Sequence, residues 1–274
     1  MKNIILTGLI VLLISACATS PTGRSQLMLM SPEQAISESK QAYVSTVTEV
    51  NKEHKLITDP AWVNRISTIT GRLVTEAIRT NPGSADWQWS VAIIDDPETL
   101  NAWCMAGGRM AIYSGIVTQL SLTDDEIAQI MGHEISHALA NHTAEKMSRA
   151  ILINAGMSVA STVTDSNGYL LSGTAVAAQL ALELPNSRTA ETEADRIGIE
   201  LAARAGYHPD AAATLWAKMA KAGGSQPQFL STHPSPDNRM ETLQALSKEM
   251  RALNPTLQKS RIYPVRMVTN INQL

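Results

Sequence analysis

Phenylalanine is nearly absent from this chain, with one residue among 274 beside five Trp and five Tyr. An interior of stacked aromatics is therefore excluded. With 44% hydrophobic residues and 12 Met, the core is expected to be aliphatic and built from packed helices. Cysteine is equally scarce: two residues allow one internal disulfide at most. An excess of positive charge is missing as well. A formal net charge of -3 gives no reason to expect a nucleic acid as partner. No apolar run reaches the roughly 20 residues of a membrane-spanning helix, and no internal repeat is visible.

What is present starts at Met1-Lys2-Asn3, an apolar run from Ile4 to Ile14, and then Ser15-Ala16-Cys17. A positive start, a short apolar stretch and small residues at its end describe an export signal. Ile14-Ser15-Ala16-Cys17 resembles a bacterial lipoprotein box, in which cleavage before the cysteine leaves Cys17 lipidated. By the same resemblance, Ala18 in place of an aspartate implies the outer membrane. A soluble secreted protein cleaved nearby is the alternative. A lipidated Cys17 would leave Cys104 without an intrachain partner, expected as a small buried thiol in a strand. The expected organisation is a signal peptide over 1–16, a lipid-anchored tether over 17–30, one folded domain over 31–254 and a tail over 255–274.

Within the domain, Ser31-Pro32 opens a helix toward Lys52, and a second helix is expected from Pro60 to Arg79, ended by Asn81-Pro82-Gly83. Trp87 to Ile94 reads as a strand. Asn101–Cys104 and Arg109–Tyr113 read as a hairpin turning through Ala106-Gly107-Gly108. Thr123-Asp124-Asp125-Glu126 is a capping box whose helix is expected to run to about Met147. Residues 150–184 are expected to form packed helices around a turn at 164–168, closed by Pro185. Further helices are expected from Thr189 to Ala205, from Pro209 to Gly223-Gly224, and from Ser235-Pro236 to Leu253. This is an α+β chain, predominantly helical, with one small sheet.

The chemistry lies in His133-Glu134-Ile135-Ser136-His137. Two histidines four residues apart on a helix are about 40° from each other around its axis, so both imidazoles can reach one ion. Glu134 stands beside that face, placed to take a proton from water activated by a metal such as zinc. A chance pattern on a solvated helix remains the alternative. Catalytic zinc needs a third protein ligand. Ala140 and Thr143 stand where a metzincin would have Gly and His. His142 is expected on the opposite side of the helix, as a surface histidine. The segment Ser187 to Asp195 offers Glu191 and Asp195 on one helix face, so that Glu191 can bind the metal and Asp195 can orient a ligand histidine. Glu193 falls one position off that face and is left out.

These two helices resemble those of gluzincins, specifically the membrane-associated metallopeptidase family that includes the CAAX prenyl protease, the heat-shock protease HtpX and periplasmic bacterial members. The resemblance runs from about Trp87 to Arg239. It implies a zincin-like core with a small edge-strand sheet, one zinc per chain, and Glu191 as the third ligand after His133 and His137. It also implies that Asn101 and Ala102, with Gly107-Gly108-Arg109, belong to a substrate-binding edge strand for extended or unfolded protein. Thr232-His233-Pro234 and Arg239 match the family's late His-Pro loop and downstream arginine. His233 has two possible jobs: donating to the oxyanion with Arg239 nearby, or filling the open zinc position until substrate arrives. The expected function is a zinc endopeptidase acting on misfolded, unassembled or exposed envelope proteins, lipid-anchored in the outer membrane and facing the periplasm. The rival is an assembly factor or chaperone for outer-membrane proteins with a regulatory or vestigial zinc site, a possible partner of the outer-membrane assembly machinery.

Overall fold

A computed structural model describes residues 17–163, 187–222, 228–233 and 238–273. Strands β1 (Cys17–Thr19) and β2 (Ser25–Leu27) form an antiparallel hairpin. Helix α1 (Pro32–Lys52) follows, with Ser31 and Gln34 capping each other's backbone groups as a capping box. Helix α2 (Pro60–Thr80) is capped by Asp59. Then come β3 (Ser90–Ile94), β4 (Ala102–Met105) and β5 (Arg109–Tyr113), a short helix α3 (Ser114–Gln119), α4 (Asp124–Leu139) and α5 (His142–Val163). Residues 187–204 are helical (α6). Helices α7 (Ala211–Lys221), α8 (Gln228–Thr232) and α9 (Arg239–Met250) precede the last strand, β6 (Arg266–Val268).

The four-stranded sheet has the order β4-β5-β3-β6. Strand β3 lies parallel to both neighbours, whereas β4 turns back antiparallel on β5 as the hairpin expected at Gly107-Gly108. Being central and covered on both faces, β3 is buried at every position, as a parallel strand must be. Its Val91 and Ile93 join the main core with Ile66, Leu73, Ile127 and Ile130 of α2 and α4. On the other face Ala92 and Ile94 pack with Tyr43 and Val47 of α1. Strand β4 is the sheet's edge, and among the described residues no strand pairs with its outer side. No described helix is long and apolar enough to cross a membrane.

Several expectations are corrected. The helix after Thr123 does not reach Met147. It stops at Leu139, Ala140 caps it, and Asn141 turns left-handed with φ 56° before α5 starts at His142. Asparagine is one of the few residues that enters that conformation cheaply. The tail over 255–274 belongs to the domain, because β6 pairs with β3 from Ser90 to Ala92. The tether over 17–30 is not free chain either: its hairpin buries Gln26, which donates to Ala140 O at 2.7 Å and to Glu145 at 3.0 Å. Neither segment shows a sustained period in the sequence, since each adds only a short strand held by backbone pairing. The last helix is described from Arg239, and Ser235-Pro236, where it was expected to open, lie outside the described residues. The turn expected at 164–168, Pro185 and Gly223-Gly224 lie outside them as well.

The start of α4 carries a buried charge. Glu126 accepts from Thr123 N at 2.9 Å, from Thr214 at 3.0 Å and from Lys218 Nζ at 2.7 Å. Burial alone would raise its pKa, but the Lys218 ammonium and these hydrogen bonds outweigh burial and lower it. A carboxylate depressed on folding contributes stability above its unfolded pKa of about 4.3, and that stability is lost as pH falls through the folded value. Glu126→Gln is therefore expected to cost about 2 kcal/mol at pH 7. The deficit should shrink in acid, below about pH 4, which urea denaturation at both pH values measures.

Candidate active site

Glycine brings the two site helices together. A Cβ on Gly132 of α4 would lie 2.9 Å from Gly198 O, and one on Gly198 of α6 would lie 2.8 Å from His133 N and 2.9 Å from its Cα. The backbones touch, which no larger residue at either position permits without a shift. One turn along, Asp195 Oδ1 meets His133 Nδ1 at 3.0 Å. One turn further, Glu191 reaches His133 Nε2 at 3.2 Å and His137 Nε2 at 3.5 Å. His133 and His137, spaced by one turn of α4, bring their Nε2 atoms to 3.0 Å of each other.

His233 closes the group from the end of α8. Its Nδ1 lies 3.1 Å from both oxygens of Glu191 and 3.3 Å from His133 Nε2. Its ring stacks on the chain's single phenylalanine, Phe229, at 4.5 Å, and Phe229 N donates to Leu100 O at 3.1 Å, just before β4. The loop that carries His233 is thus hung on the edge strand. Donor atoms of His133, His137, Glu191 and His233 all fall within 4.8 Å of one another. Nitrogen and carboxylate donors converging out of water suit a divalent cation of the zinc type.

The charges behind this group are matched. Arg239 donates to Asp195 Oδ1 at 2.7 Å, approaches Glu191 at 3.6 Å, and lies 3.6 Å above the Trp216 ring. It also reaches His233 O at 3.5 Å. The structure therefore places Arg239 behind Asp195 and Glu191. Burial works to lower the His133 pKa, but hydrogen bonds to Asp195 and Glu191 overcome it and raise the ring to about 9. Burial holds His137 well below its ordinary value.

Glu134 is buried, 3% exposed, and burial raises its pKa. Its Oε1 lies 3.3 Å from His233 Nε2, yet the alignment is too poor for a hydrogen bond and the oxygen has no donor. A backbone hydrogen bond with Cys104 sets Glu134 against β4. Cys104 itself is a free, buried thiol in that strand, as expected. Asn101 turns its side-chain oxygen onto Ala102 N at 2.9 Å, while its own carbonyl accepts from Tyr113 N at 3.1 Å. Ala102 pairs with Ile112. These two residues shape the start of the edge strand beside the histidines.

His142, expected at the surface, is buried. Because the chain reverses at Asn141, its Nδ1 lies 2.8 Å from His137 Nδ1 and its Nε2 lies 3.1 Å from Glu193. Glu193 also accepts from Thr22 at 2.6 Å and Arg24 Nε at 3.0 Å, and Arg24 forks onto Glu145 at 2.8 and 2.6 Å. Sequence reasoning missed His142 and Glu193. The only available signal was Asn141, a residue suited to end a helix.

Two histidines and a glutamate on touching helices, with a second buried glutamate that keeps one oxygen without a donor, define a metallopeptidase centre. Residues 60–247 match the model of peptidase family M48, and the chain belongs to that family, whose members are zincin-like metallopeptidases. It is 30% identical to bovine (Bos taurus) mitochondrial metalloendopeptidase OMA1 over 248 residues, 86% of this chain and 46% of that protein. The identity to mitochondrial metalloendopeptidase OMA1 of Saccharomyces cerevisiae is 35% over 167 residues, covering 57% and 46%. To the β-barrel assembly-enhancing protease of Escherichia coli K12 it is 28% over 218 residues, 76% and 43%. The chain thus spans about half the length of the curated relatives it matches.

Removing a hydrogen-bonded neighbour of a ligand histidine typically weakens metal binding by about 10- to 100-fold. His142→Ala is expected to weaken zinc binding about tenfold or more, read by competition with a chromophoric chelator. An unchanged affinity would leave His142 as packing alone.

Proposed function

We propose that the protein is a zinc endopeptidase that cleaves extended segments of misfolded, unassembled or exposed envelope proteins at the periplasmic face of the bacterial outer membrane. The observation that carries this reading is the edge strand β4, unpaired on its outer side among the described residues and tied to Glu134 through Cys104. An extended peptide added to β4 would run past the metal ligands, which favours unfolded chain or loops over folded domains.

His133, His137 and Glu191 would hold the zinc, which when bound supplies a Lewis acid at the scissile carbonyl. Glu134, with its raised pKa and undonated oxygen, takes a proton from the attacking water and delivers it to the departing amine nitrogen. Asp195 orients His133, and Arg239 keeps Asp195 in place. His233 takes the blocking role rather than the oxyanion role, because its Nδ1 stands among the donor atoms.

The envelope assignment rests on the export signal and on the relative whose name is β-barrel assembly-enhancing protease. The lipoprotein box at Cys17 supports, as part of the same proposal, a lipid-anchored branch of the wider family that includes the CAAX prenyl protease and HtpX. A lipid on Cys17 would hold the catalytic centre close to the membrane, since Cys17 opens β1 and Thr22, at most ~18 Å further along the chain, already contacts Glu193. The name of the same relative favours one second reading, an assembly factor or chaperone for outer-membrane proteins with a regulatory or vestigial zinc site.

Casein digestion should stop with chelator and in Glu134→Gln, while that variant keeps about one zinc per chain by elemental analysis. His133→Ala, His137→Ala and Glu191→Ala should lose the zinc, and full occupancy in Glu191→Ala would refute its role. His233→Ala should raise basal hydrolysis. A fall of about a hundredfold would instead make it an oxyanion donor. Cys17→Ser should release the protein from the membrane fraction, and an envelope phenotype retained by Glu134→Gln would favour the assembly role.

A further inference from the structure

A cavity of about 210 Å³ lies on the α1 face of the sheet, across the strands from the metal centre, and its lining includes Lys40, Tyr43, Trp87, Gln88, Arg109 and Arg266. No Asp or Glu lines it. Its floor follows from the strand register. Ser90 of β3 pairs with Arg109 on one side and Arg266 on the other. Paired residues point to the same face, and strands are ~4.8 Å apart, so two arginine stems flank Ser90 about 10 Å from each other. This is the face where Ala92, Ala111 and Val268 pack on Tyr43.

Arg109 is 7% exposed, yet its guanidinium faces no carboxylate. It donates to Gln88 Oε1 at 2.9 Å, and the more exposed Arg266 reaches Gln273 O at 3.3 Å. Among the described residues neither these two nor Lys40 forms an ion pair. The other deeply buried arginine, Arg239, sits against both Asp195 and Glu191, which is the ordinary condition of a buried cation. Burial and the neighbouring Arg266 both push Arg109 below the usual guanidinium value. Burial holds Tyr43 up at about 12, and its hydroxyl donates to Met110 O at 3.4 Å.

We propose that this cavity binds a phosphate group, with room beside Trp87 for a small esterified substituent. A carboxylate brings one negative charge and two oxygens, too few for three cations and their forked donors. A phosphate monoester brings nearly two charges and several oxygens at the spacing that arginine recognises. The site is separate from peptide hydrolysis, since the sheet stands between it and the histidines.

Inorganic phosphate titrated into the full chain, followed by ³¹P line broadening, tests the proposal. The zinc-loaded protein and the same protein after chelation are compared, because phosphate can also meet zinc. Binding that survives chelation and weakens about tenfold or more in Arg266→Gln and in Lys40→Gln is expected. Both side chains are exposed, so these variants should fold, which a matched melting temperature checks. Absence of chelation-resistant binding, or an affinity unchanged in both variants, would overturn the site. Sedimentation with vesicles containing phosphatidic acid, whose headgroup is a phosphate monoester, using Cys17→Ser to remove the anchor, identifies the source. Retention lost in Arg266→Gln assigns a lipid headgroup, and phosphate binding without such loss assigns a soluble phosphate ester.

Discussion

The contact on which the site depends is the meeting of two helix backbones at Gly132 and Gly198. With a Cβ at either position already inside van der Waals distance of the opposite chain, α4 and α6 can approach this closely only because both lack one. That approach puts Asp195 and Glu191 on the histidines of α4 within hydrogen-bond reach. A separation larger by one methyl group would leave three histidines and two carboxylates buried near one another without defined partners, a costly arrangement in a low-dielectric interior.

Around that contact the protein spends charge in layers. The inner layer is the donor set of His133, His137 and Glu191. The outer layer consists of Asp195 with Arg239 behind one histidine, and His142 with Glu193, Arg24 and Glu145 behind the other. Buried ion pairs of this kind contribute little net stability, since desolvation offsets attraction. Their consequence is orientation: the His133 and His137 rings are each held through Nδ1, so that Nε2 faces the centre. The N-terminal hairpin belongs to this outer layer, which makes the first residues after Cys17 part of the site's support.

The small sheet has two roles because its faces differ. One face packs Val91, Ile93, Met110 and Ile112 against the catalytic helices. Its edge strand β4 lies next to Glu134, and the helix that leads to His233 hangs from Leu100, just before that strand. The other face, toward α1, gathers unpaired cations around a cavity. Peptide and anion would thus occupy separate sides of one layer of strands.

Elements whose specification is local were legible in the sequence. The N-cap at Ser31, the capping box at Thr123, the glycine turn between β4 and β5, and the four-residue spacings His133/His137 and Glu191/Asp195 depend on neighbours a turn away. By itself the sequence therefore determined the helical character, the hairpin and the set of residues able to hold a metal. Tertiary structure decided what depends on partners far along the chain. Arg24 meets Glu145 across 121 residues and Thr22 meets Glu193 across 171, so no local pattern marks the hairpin as part of the site. Strand β6 is three residues long and exists because β3 offers it an edge. His142 was misplaced for the converse reason: continuing the helical period past Asn141 rotates it to the surface, and a single residue with φ 56° returns it to His137.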